Sequence, residues 1–137
     1  MVDFRSATVP DRFSTADAHS RLDAEFGFSP DQYSQDWDIE LADASRLQEF
    51  VDAYFALDLD EDERFTLMEL IVASADDALH SHKLDAGLWG SIHNLLVSDS
   101  SIHACTIHSW CCANSTCEDE EFPLSPRIRA VWCEAFD

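Results

Sequence analysis

Phe65-Thr66-Leu67-Met68-Glu69-Leu70-Ile71-Val72-Ala73 is apolar on nearly every side, broken only by a threonine and a glutamate. A helix that is apolar all round belongs in a protein interior. Before it, separated by Arg64, stand Asp60, Glu61, Asp62 and Glu63, in the first turn, where the helix dipole favours anions. The stretch predicts a central, buried helix that begins near Asp60 and around which the rest of the chain packs.

The flanking sequence repeats the helical period. Leu47, Phe50, Val51, Tyr54 and Phe55 fall at i, i+3, i+4, i+7 and i+8, one stripe of an amphipathic helix over residues 43–57. On the other side Asp85 is placed to cap a helix whose inward face is Leu88, Trp89, Ile92, Leu95 and Leu96. Residues 102–112 fit helical and extended readings, with flanks that favour helix. Ser125-Pro126 opens a last helix, proline being favoured in the first turn, with Ile128, Val131, Trp132, Ala135 and Phe136 on one face. Toward the N-terminus, Ser14 or Thr15 caps a short helix that ends at Gly27. Ser29-Pro30 looks like another start, soon interrupted by Asp36-Trp37-Asp38. Only three glycines occur, and no alternating apolar/polar run is long enough for a sheet. The expected fold is all-α: an arm over residues 1–12, then a single-domain bundle of about six helices over 13–137.

Composition narrows the function. The 137 residues carry 28 Asp and Glu against 8 Lys and Arg, a formal net charge of −20, yet 46% are hydrophobic. A disordered acidic tail would lack that apolar content. A field of this sign disfavours direct nucleic-acid binding or an anionic membrane and favours a basic partner. No apolar segment is long enough to span a bilayer. Met1-Val2-Asp3-Phe4-Arg5 shows no basic region leading into an apolar run, so the expected location is cytoplasmic. Five cysteines, two of them adjacent, read as reduced thiols rather than a disulfide framework.

Three motifs bear on chemistry. Residues 58–69 place acids at positions 1, 3, 5 and 12 of a possible calcium loop, but position 6 is Glu63 instead of the glycine that the turn needs. The competing reading is a helix start capped by Asp58 or Asp60. His103, Cys105, His108, Cys111, Cys112 and Cys117 could recruit zinc, without the paired spacing of known fingers; buried small thiols are the alternative. His80 and His82 do not share a helical face. No nucleophile elbow or glycine-rich phosphate loop is present. The expectation is therefore a binding protein with no catalytic residues, no cofactor and no assigned metal ligands.

Its candidate partner-binding residues lie in two acid-rich runs, Asp36, Trp37, Asp38 and Glu40, and Asp58, Asp60, Glu61, Asp62 and Glu63. Further acids cluster at Asp76-Asp77 and at residues 118–121. Trp37 and Tyr33, set among acids, are candidate aromatic anchors, with a core role as the alternative. The run Phe65-x-Leu67-Met68-Glu69-Leu70-Ile71-x-x-Ser74-x-Asp76-Asp77, with Leu88-Trp89, Leu95-Leu96, Ile107-x-x-Trp110, Phe122, Pro126 and Arg127, resembles small acidic helical immunity proteins of bacterial toxin systems. The resemblance covers about residues 45–135 and is a pattern of helix faces. It implies an inhibitor that blocks a basic toxin domain, such as a nuclease, and it carries over no residue-level binding site. A DNA mimic directed at DNA-binding or host-defence proteins is the alternative, followed by a calcium-binding helical module. An acid-adapted protein with no charged partner would instead show salt-dependent folding.

Overall fold

In the computed structural model, residues 7–28, 37–111 and 123–136 are described. They form six α-helices of ten residues or more, one five-residue helix and a 3₁₀ turn. No strand occurs among the described residues. The chain is all-α, as its periodicity predicts. The helices group into two compact units, Phe13–Lys83 and Met1–Arg12 with Leu84–Asp137.

The Phe13–Lys83 unit is built on α4 (Glu61–His80). Helices α1 (Ala16–Phe26), α2 (Trp37–Leu41) and α3 (Leu47–Ala56) and the 3₁₀ turn Ala44–Arg46 all pack against it. Between residues 65 and 75 of α4 every side chain is buried except Glu69, which is half-buried. Truncating a ring such as Phe65, only 1% exposed, would cost roughly 3–5 kcal/mol.

Local sequence explains where each helix begins. Thr15 Oγ1 accepts from Ala18 N at 3.1 Å to start α1, and Gly27, at φ 72°, ends it in the left-handed conformation. Asp43 turns the chain into the 3₁₀ segment by accepting from Ser45 N at 2.9 Å, so α3 begins at Leu47 rather than at residue 43. Leu47, Phe50, Val51 and Tyr54 are buried as the stripe requires, but Phe55 is 67% exposed. At 100° per residue it lies about a quarter-turn off the centre of that stripe, one residue from the helix end. Phe26, Phe28 and Phe50 form a ring cluster. The Arg46 guanidinium lies 5.1 to 5.8 Å from all three ring centroids and donates to the Phe26 carbonyl at 2.9 Å.

In the other unit, α5 (Ala86–Ser98), α6 (Ser100–Trp110) and α7 (Ser125–Ala135) pack on one another. Asp85 caps α5 by accepting from Leu88 N at 2.8 Å. Trp89, Ile92, Leu95 and Leu96 are its buried residues. The ambiguous stretch beginning at residue 102 is helical: α6 follows α5 after Asp99 alone. Ile128, Val131 and Trp132 of α7 are buried. Irregular chain ending at Arg12 borders α6, where Cys105 Sγ donates to the Arg12 carbonyl at 3.9 Å. No helix among the described residues is long and apolar enough to cross a membrane.

Candidate functional site

Charge is unevenly distributed along the chain. Eighteen of the 28 acids and four of the eight bases lie within Phe13–Lys83, a formal net of −14. The remaining residues carry −6. The electrostatic feature that dominates the composition therefore belongs chiefly to the α4 unit.

At the start of α4 the acids divide into two kinds. Asp60 and Glu63 serve the fold: Asp60 Oδ1 accepts from Glu63 N at 2.8 Å, and Glu63 Oε1 accepts from Asp60 N at 2.9 Å. This reciprocal capping box satisfies two otherwise orphaned amides. The second oxygen of Glu63 accepts from Arg21 Nη1 at 3.0 Å, linking α4 to α1. Asp58, Glu61 and Asp62 have exposed side chains, as does Asp60. Asp17, from the first turn of α1, meets Asp60, Asp62 and Glu63 at a cleft of ≈ 180 Å³ that Thr15 and Ala18 also line. The packing of α1 on α4 thus brings a fourth carboxylate to three from α4. Asp17 is absent from the sequence-derived set, because nothing local signals that its helix start meets another.

The second candidate run lies elsewhere. Asp36 and Tyr33, and the side chain of Glu40, are outside the described residues. Trp37 is buried, 5% exposed, and takes the core role rather than that of a surface anchor. Its Nε1 donates to Asp23 Oδ1 at 2.9 Å, and its ring stacks on His19 with centroids 4.8 Å apart and planes 7° apart. Asp38 is half-buried, and its charge acts on Glu69. Glu69 lies nine residues beyond Asp60 on α4, about 13 Å along the axis. The two runs accordingly mark two places on this unit, the start of α4 and its middle.

Glu69 is a functional candidate that composition and spacing pass over. Burial, and then the Asp38 charge, push its carboxyl up to about 8. No ion pair or hydrogen bond to Glu69 is formed among the described residues. Its only sequence signal is an acid placed inside an apolar helix, a local inconsistency of the kind that marks functional positions. His19 moves the other way: burial holds its imidazole below the usual histidine range, against the opposing pull of Asp23 and Asp38.

The metal motifs fold as follows. Residues 61–69 are helix throughout, so Asp60, Asp62 and Glu69 lie along a rod instead of closing a calcium loop. The capping role of Asp60 is the observed one. In the cysteine–histidine segment His103 and Cys111 are buried, Cys105 is half-buried, and His108 packs on the Trp132 ring at 5.6 Å. Cys112 and Cys117, like the acids at 118–121, are outside the described residues. Among the described residues no group of three or more His, Cys, Asp or Glu side chains is arranged to hold a metal ion. No protein-family model, curated protein or solved structure matches the chain.

Proposed function

We propose that this protein is a cytoplasmic inhibitor, an immunity protein that binds and neutralises a basic toxin domain, and that it does so without chemistry of its own. The observation that carries the reading is the exposed carboxylate group at the α4 start. There Asp62 meets Asp17 at the cleft, with Asp58 and Glu61 exposed next to it in sequence, on the unit that holds most of the net charge. Complementary fields of this kind speed encounter and reject wrong partners. The cleft between the two helix starts is a fitting receptor for the head of a lysine or arginine that would otherwise hold phosphate, as in a nuclease.

The experiment is affinity capture from the native host on the full chain, washed in steps of rising salt and read by mass spectrometry. Retention of one basic protein to high salt is the expected result. Broad capture of DNA-binding proteins, released at moderate salt, would replace this reading with the DNA mimic. The captured partner is then tested against Asp58→Asn/Glu61→Gln, which spares both capping-box residues. Association should slow by about tenfold at low salt and lose much of its salt dependence. Unchanged association at low salt would remove the α4 start from the interface.

A further inference from the structure

Two large hydrophobic side chains stay exposed among the described residues, Phe13 at 79% and Phe55 at 67%. Apolar residues scattered singly over a surface need no explanation. These two are not scattered, for both adjoin the acidic start of α4. Phe13 lies two residues before Thr15, which lines the cleft shared with Asp17, Asp60 and Asp62. Its backbone is therefore at most about 7 Å from that of Thr15. Phe55 is next to last in α3, three residues before Asp58 and five before Asp60, which is at most about 11 and 18 Å of chain. Asp52 stands one turn earlier on the same outer face of α3, exposed like Phe55, and accepts from Gln48 Nε2 at 2.9 Å. Each exposed ring thus has carboxylates close to it, and the cleft lies within reach of both.

We propose that Phe13 and Phe55 are the apolar anchors of the partner interface, and that the surface they fit is a basic protein face on which lysine or arginine stands beside apolar side chains. Trp37, the aromatic residue that the sequence offers for this task, is held in the core; these two rings are the ones open to a partner. The proposal rests on the inhibitor reading for the sign of the partner's charge and adds the apolar half of its surface.

Charge selects the occupant. A second copy of this chain would bring two faces of a unit with a net charge of −14 together, and nucleic acid would meet the same repulsion. A basic protein surface meets none. Its cationic heads can enter the cleft, where Asp17 and Asp62 face them. The aliphatic stems of those side chains, and the apolar residues between them, can then cover the two rings. A guanidinium can also lie over a ring face while it pairs with a neighbouring carboxylate. Charge then speeds encounter, and burial of the rings supplies affinity that salt does not screen. A standard interface covers about 800 Å² on each partner, enough to take in the cleft and both rings.

The test uses two labelled twelve-residue peptides of equal charge, one alternating lysine with leucine and the other lysine with serine. Each is titrated with the full chain and followed by fluorescence anisotropy at low and at physiological salt. The leucine peptide should bind about tenfold more tightly, and the difference should persist at the higher salt. Phe13→Ser/Phe55→Ser should bring the leucine peptide down to the affinity of the serine peptide and leave the serine peptide unchanged. Both rings are exposed, so this variant should melt like the wild type. If it does not, the single substitutions, each removing part of the difference, carry the test. Equal affinities in the wild type, or an undiminished difference in the double variant, would overturn the anchors and leave the inhibitor reading standing. Failure of both peptides to bind at low salt would overturn the two together. A concentration-dependent dimer abolished by Phe13→Ser/Phe55→Ser would assign the rings to a second copy and likewise overturn the proposal.

Discussion

Gly27 and His82 end two helices in the same way, with different residues. Each occupies the left-handed region, Gly27 at φ 72° and His82 at φ 58°. After each, the next amide reaches back five residues, from Phe28 N to the Asp23 carbonyl at 2.9 Å and from Lys83 N to the Ala78 carbonyl at 2.7 Å. Glycine adopts this conformation without steric cost, whereas an L side chain pays about 1–2 kcal/mol. His82→Gly should therefore stabilise the protein by about 1 kcal/mol, and Gly27→Ala should destabilise it by a similar amount, both read by urea denaturation. No atom would obstruct a Cβ at Gly27, so the second effect is conformational and not a clash. At Asp60, replacement by alanine removes half of the capping box and should cost about 1 kcal/mol in the same assay. The cap residues Thr15, Gly27, Asp60 and Asp85 are all legible in the sequence, because a cap involves atoms within a few residues. His82 is not, since its residue type gives no sign of a left-handed turn.

For whole elements, legibility depends on how the apolar period meets its surroundings. The period of α3 names its four buried residues and overreaches by one, because a stripe has edges that only a packed neighbour defines. Residues 102–112 are ambiguous by pattern alone; the one-residue link to α5 together with packing on α7 makes them helix as far as Trp110. In α4 the pattern announces burial, while the exception at Glu69 is where stability and pH become linked. Its raised carboxyl favours the folded state's protonated form, so wild-type stability should fall relative to Glu69→Gln as pH rises from about 4.5 to about 8. Thermal melts of the two proteins across that range should diverge and then run parallel. Trp37→Phe keeps a ring on α2 but loses the bond to Asp23; it should lower stability by about 1 kcal/mol in urea.

Taken as a whole, the molecule carries an excess of negative charge that opposes its own compactness. That repulsion is concentrated in Phe13–Lys83, where acids outnumber bases by eighteen to four. Added salt screens repulsion between exposed charges at these separations. Melting temperature should thus rise modestly with moderate salt, the fold persisting at low salt as an acid-adapted protein's would not, and it should rise less in Asp58→Asn/Glu61→Gln, measured without any partner present. A salt-insensitive melt would show that the acids are spaced too widely to strain the fold. The same reduction in charge is expected to stabilise the free protein and to slow its capture of a basic partner, opposite effects of one substitution.

The sequence by itself determined the helical class, most helix starts and stops, the burial of α4 and the sign of the field. All of these follow from short-range periodicity, capping chemistry and composition. Tertiary structure decided which acids stand together and which are consumed by the fold. Arg21 reaches Glu63 across 42 positions and Trp37 reaches Asp23 across 14, and neither pairing leaves a local trace. It likewise brought Asp17 to the α4 start, placed Trp37 in the core and brought the Asp38 charge to bear on Glu69. Side-chain charge is a property of the residue, but its solvation and its neighbours are properties of packing, which arises only when distant segments meet.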